Sequence, residues 1–117
     1  MVLFGLEKYL EDFLVSNWEK FDLANDLDIY EDENGDVVGQ QFPTDVGRID
    51  ILCTDRRTGN FVVIKLKKGR SSDTVLGQVL RYMGWVKHHL AKGGAVRGVI
   101  VSNERDEKLK YALQAER

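Results

Sequence analysis

Gly47-Arg48-Ile49-Asp50-Ile51-Leu52-Cys53 and Phe61-Val62-Val63-Ile64-Lys65-Leu66-Lys67-Lys68-Gly69 decide how this chain is read. Both are apolar runs rich in β-branched residues, and Asp55-Arg56-Arg57-Thr58-Gly59-Asn60 between them has the composition of a turn. They are expected as strands over residues 47–54 and 61–67, apolar enough to be central in a sheet. Alternation places Phe61, Val63, Lys65 and Lys67 on one face, and Val62, Ile64 and Leu66 on the other. Asp50 stands between two isoleucines, where an unpaired charge is costly to bury, so it calls for a metal or a cationic partner.

Working outward, Leu6, Tyr9, Leu10, Phe13, Leu14, Trp18 and Phe21 recur every three or four residues, the mark of an amphipathic helix over roughly residues 3–20. Leu27 to Tyr30 and Val37 to Phe42 flank an acidic segment, Glu31-Asp32-Glu33-Asn34-Gly35-Asp36, whose Asn-Gly favours a tight hairpin turn. Pro43, the only proline, is expected to interrupt the run after the second of these strands. Asp73 is a plausible N-cap for a helix whose buried stripe would be Val75, Leu76, Val79, Leu80, Met83, Val86 and Leu90, ending near Gly93-Gly94. Thr74, Gln78, Arg81 or Tyr82, and Trp85 form its polar edge. A strand over residues 96–102 follows, and Asn103 or Glu104 opens a polar helix through about Ala115. The order suits an α/β sandwich.

A chain of 117 residues is one domain, residues 1–117, large enough for one core. There is no repeat, no apolar run approaching the roughly 20 residues of a membrane span, and no signal-peptide layout, so the expectation is a cytoplasmic protein without membrane contact. Cys53 is the only cysteine, which excludes an internal disulfide and a cysteine-rich zinc site. The net charge of −2 gives no global argument for nucleic-acid binding, which must come from a local patch.

Five segments carry a family pattern: Glu7 to Asn17 with its Glu-x-x-Leu-Glu-x-x-Leu-x-x-Asn-like spacing, Gly47 to Asp50, Ile64 to Lys67, Gln78-Val79-Leu80-Arg81-Tyr82, and Val96 to Val101. In this order they resemble the PD-(D/E)XK nuclease superfamily, and within it the C-terminal catalytic domain of NucS/EndoMS-type DNA endonucleases. The resemblance implies a restriction-endonuclease-like sandwich, a central mixed β-sheet flanked by helices. It implies divalent-metal-dependent hydrolysis of DNA phosphodiesters with Mg2+ or Mn2+, and DNA as partner. The site carried over is Glu7 and Asp50 as metal ligands, Lys67 as the cation on water or phosphate, and Gln78 and Tyr82 lining the site, with Glu11 the competitor of Glu7 for the helix acid. A further strand usually follows the last helix in this family, and a separate N-terminal DNA-binding domain precedes the catalytic one; neither is expected within this chain.

The one clear departure is Lys65, which stands where the pattern has a glutamate. An ammonium there removes a ligand and repels a cation, by about 1 to 4 kcal/mol at 4 Å for effective dielectrics between water and a protein surface. Lys65 is therefore expected to pair with Asp50 and with Glu7, leaving Mg2+ or Mn2+ weakly bound or absent and the chain inactive or impaired. It is either natural to a pseudo-nuclease or an inactivating change.

Arg48, Lys65, Lys67, Lys68 and Arg70 form a basic cluster that would attract a DNA backbone, with Gln78 and Tyr82 beside it. The bland reading of the lysines is protection of a strand end, and that of Tyr82 and Trp85 is boundary packing rather than base stacking. Adjacent His88 and His89 point in different directions and make a poor metal pair. The alternative functions are a non-catalytic nucleic-acid-binding or assembly module reusing the nuclease fold, and a structural partner domain. One active site cuts one strand, so a homodimer is a further expectation.

Overall fold

The computed structural model describes residues 11–20, 25–70 and 73–104, with the backbone alone for residues 68–70 and 102–104. Glu7, Phe21 and the expected C-terminal helix beyond Glu104 lie outside the described residues. In chain order the elements are α1, of which residues 11–16 are described, β1 (Leu27–Ile29), β2 (Gln40–Thr44), β3 (Gly47–Asp55), β4 (Phe61–Arg70), α2 (Asp73–His89) and β5 (Val96–Glu104). A 3-10 turn, Trp18–Lys20, follows α1, and the Trp18 indole N–H donates to the Leu27 carbonyl at 3.1 Å, tying that turn to β1.

The two central runs become β3 and β4, paired antiparallel with Ile51 opposite Ile64 and Thr54 opposite Phe61. β1 and β2 both pair antiparallel with β3, and β5 lies parallel to β4, giving a mixed five-stranded sheet in the order β1-β3-β4-β5 with β2 on β3. Parallel neighbours need a crossover, and α2 supplies it. Val62, Ile64 and Leu66 pack with Leu14 of α1, Leu27, Ile51 and Cys53. Val63 and Phe61 pack instead with Tyr82 and Val86 of α2, Ile49 and Leu52. Helices therefore cover both faces, and the expected α/β sandwich is what forms. Burial pushes the Cys53 thiol up to about 12, in keeping with an inert core residue.

Three expectations are corrected. Pro43 does not end its strand but sits within β2, exposed and opposite Arg48, as proline can where no ladder hydrogen bond is asked of it. On α2 the buried residues are Val75, Val79, Tyr82 and Val86, so Tyr82 belongs to the core, whereas Leu80 is 39% exposed. β5 runs on through Glu104, so no helix opens at Asn103 or Glu104.

The acidic segment becomes a hairpin closed by a bridge between Glu31 and Val37. Asp32 Oδ1 accepts the amides of Asn34 and Asp36, and Gly35 takes φ +83°, a conformation glycine adopts without strain. At its base, Leu52 of β3 accepts from the Tyr30 amide and donates to the Gly39 carbonyl, so the hairpin is inserted in an otherwise continuous sheet edge formed by β1 and β2. No helix among the described residues is long and apolar enough to cross a membrane.

Candidate functional site

Asp50 lies in the middle of β3, and its side chain is 15% exposed. One carboxylate oxygen, Oδ2, accepts the Leu66 backbone N–H at 2.8 Å and lies 3.5 Å from the Lys65 ammonium nitrogen. Burial pushes the carboxyl above the usual carboxylate range; the Leu66 N–H and Lys65 pull it back, and the nearby Glu11 pushes it up again. The cation that the sequence demanded beside Asp50 is thus Lys65 itself.

Glu11, on α1, is the helix acid that the described residues bring toward Asp50, and it is 3% exposed. Its carboxylate accepts the Gln40 side-chain amide at Oε1, 2.8 Å away, and the Gln41 side-chain amide at Oε2. Gln40 also donates to Asp12 at 2.8 Å. Gln41 takes φ +51°, in the left-handed region where side-chain-bearing residues are uncommon. It falls between the pairs Gln40–Ile51 and Phe42–Ile49, which puts it beside Asp50 in the register. Arg48 donates from Nη1 to the Gln41 carbonyl at 3.1 Å.

The sequence reading missed Gln40 and Gln41. Strand alternation would send their side chains to opposite faces, and glutamine is not a residue that announces a left-handed backbone. The residue type carries no signal here; a pair of long amides two residues before a proline is the sole compositional hint.

The remaining residues of the expected site are distributed unevenly. Arg48 is exposed and next to Asp50, and Lys67 is half-buried two residues beyond Lys65 on β4. Gln78 is half-buried on α2, one turn before Tyr82. Tyr82 is 9% exposed, packed with Ile49, Leu52 and Val63, and its hydroxyl occupies the space a Cβ at Gly47 would take, so its ring belongs to the core and is not open to a base. Gly47, at φ +126°, has no side chain to displace that hydroxyl. Lys68 and Arg70 are placed on β4 by their backbone, next to a register irregularity between Lys67 and Arg70.

Hard divalent cations need several oxygen ligands. Asp50 and Glu11 are two acids near one another, but an ammonium occupies the space beside Asp50, and no group of three or more His, Cys, Asp or Glu among the described residues could hold a metal ion. Among the described residues, then, the set does not fit Mg2+ or Mn2+ with Lys65 in place; Glu7, the other expected ligand, lies outside them.

The family model of the endonuclease NucS C-terminal domain matches residues 23–116. Among solved structures, a repair endonuclease from Pyrococcus abyssi aligns with a TM-score of 0.70 and 22% identity, over 92% of this chain and 42% of that one. A complex of EndoMS with double-stranded DNA aligns with a TM-score of 0.70 and 20% identity, over 92% of this chain and 39% of that one. The chain thus spans about two-fifths of the length of either structure, and at these identities the likeness speaks for the fold. The family match covers β1 through β5 and the whole Asp50–Lys65 pair, and on it this chain belongs to the endonuclease NucS C-terminal domain family.

Proposed function

We propose that this chain is a DNA endonuclease domain of the metal-dependent kind whose hydrolytic site Lys65 has silenced, leaving a domain that engages the phosphodiester backbone without cutting it. The observation that carries this reading is the 3.5 Å approach of the Lys65 ammonium to Asp50. Phosphodiester hydrolysis needs an activated water, neutralisation of charge on the phosphate and help for the leaving oxygen; bound divalent cations supply all three. With Lys65 in place, the side chains retain the backbone-binding part of that work only. Arg48 and Lys67 offer cations toward phosphates, while Lys65 neutralises Asp50. That a structural relative is a complex with double-stranded DNA supports DNA as the partner.

The test is binding and cleavage of supercoiled, linear, mismatched and single-stranded DNA by the parent chain. Salt-sensitive binding without cleavage in magnesium or manganese is the expected result. Cleavage by the parent chain contradicts silencing, and absence of binding to every form at low salt contradicts DNA as the partner, favouring a structural domain.

A further inference from the structure

We infer that Gln41 is a positioning residue, whose left-handed backbone lets two consecutive glutamine amides hold the Glu11 carboxylate toward Asp50. The inference rests on reading Asp50 and Glu11 as the acidic side of one site, and it adds a residue that the family pattern in the sequence does not mark.

Consecutive residues of a regular strand point to opposite faces of the sheet. Gln40 and Gln41 are consecutive in β2, yet their amides donate to the two oxygens of one carboxylate. The alternation is broken by the backbone of Gln41, at φ +51°. The break is transmitted across the ladder: Ile51 packs on the α1 side, while Ile49, two residues away on the same strand, packs on the α2 side with Phe42. Asp50 lies between those isoleucines, so the irregularity is centred on the residue that the site is built around. Arg48 braces it by donating to the Gln41 carbonyl at 3.1 Å. Non-glycine residues in such conformations persist where the surroundings over-determine them, and they cluster at functional sites.

A purely structural account explains the burial of Glu11 but not the strained residue. Gln40 alone, in a regular strand, would give Glu11 a buried partner. With the second amide, both carboxylate oxygens accept from β2, so the direction of the group is tied to the backbone of Gln40 and Gln41. Partners of this kind around metal-ligand groups typically change metal affinity by about 10- to 100-fold when removed.

Gln41→Gly is the informative variant, since glycine takes φ +51° without strain while removing the side chain that carries the amide. Two readouts separate this inference from the reading beneath it. The first is the crystal structure of Gln41→Gly in the parent chain: the Glu11 carboxylate is expected to rotate away from Asp50, with β2 and β3 in unchanged register and Tm within a few degrees of the parent. A Glu11 that stays in place overturns the inference, and so does a variant that fails to fold, which would make Gln41 a structural residue. The second is Mn2+ binding, followed by the electron paramagnetic resonance of the free ion, in Lys65→Glu with and without Gln41→Gly. An affinity lower by about tenfold or more is expected on deleting the amide, and unchanged affinity overturns the inference. If Lys65→Glu alone binds no Mn2+, the metal reading fails by itself and the crystal structure decides the role of Gln41.

Discussion

Charge is costly at Asp50, and Lys65 and the Leu66 amide are what make it tolerable. The folded-state carboxyl titrates above its unfolded value of about 4. A raised folded value means that the native state holds the proton more tightly, so the stabilisation is fully present below about pH 4 and is lost as pH rises through the folded value. Asp50→Asn has no such loss. Thermal scans should show the Tm of Asp50→Asn climbing relative to the parent between about pH 4 and pH 7; a relative decline over that interval would contradict the burial-dominated shift. Lys65→Met leaves the buried carboxylate without its cation, and urea unfolding at neutral pH should show a loss of about 1–3 kcal/mol, below the range for fully buried pairs because this pair retains some solvent. No loss would mean that the ion pair is incidental.

At the scale of elements, the edge of the sheet is where sequence and structure part. β3, β4 and α2 were legible because each has one dominant pattern: two apolar runs of strand length and one stripe at helical spacing. The stripe misassigned Leu80 and Tyr82 because a sequence shows which positions share a helical face, but not where the sheet ends under it. Gly47 leaves room there for a tyrosine, while Leu80 stays exposed. β2 was misread at Pro43, since an edge strand tolerates a residue that an inner strand does not. Asp50 and Lys65 could be paired from alternation and charge alone; Glu11 could only be weighed against Glu7, and Gln41 depends on a dihedral angle that no residue there advertises. Gly39 gives a direct check on the inserted hairpin. A Cβ there would fall on the Leu52 carbonyl oxygen and against Ile29, where β1 and β2 meet β3. Gly39→Ala should destabilise by about 1–3 kcal/mol in urea unfolding, as overpacking does, and a neutral substitution would show that this junction yields easily.

For the whole molecule, a net charge of −2 means that the proposed attraction to DNA has to come from a local patch. Arg48 and Lys67 flank the Asp50–Lys65 pair, and Lys68 and Arg70 follow on the same strand. Binding that depends on such a patch weakens steeply with salt, with a slope of about −0.9 per phosphate neutralised on duplex DNA. Arg48→Ala should therefore lower the magnitude of the slope of log K against log salt by about one, as read by fluorescence anisotropy over a salt series; an unaltered slope would remove Arg48 from the interface.

Whether Lys65 alone separates this domain from catalysis is decided by DNA cleavage by Lys65→Glu beside the parent chain, with magnesium or manganese and an EDTA control. Cleavage by the glutamate form only, abolished by EDTA, is expected, with a silent parent that still binds DNA. Equal cleavage by both proteins would contradict this reading, as would a Lys65→Glu form that binds DNA and Mn2+ yet leaves every substrate intact.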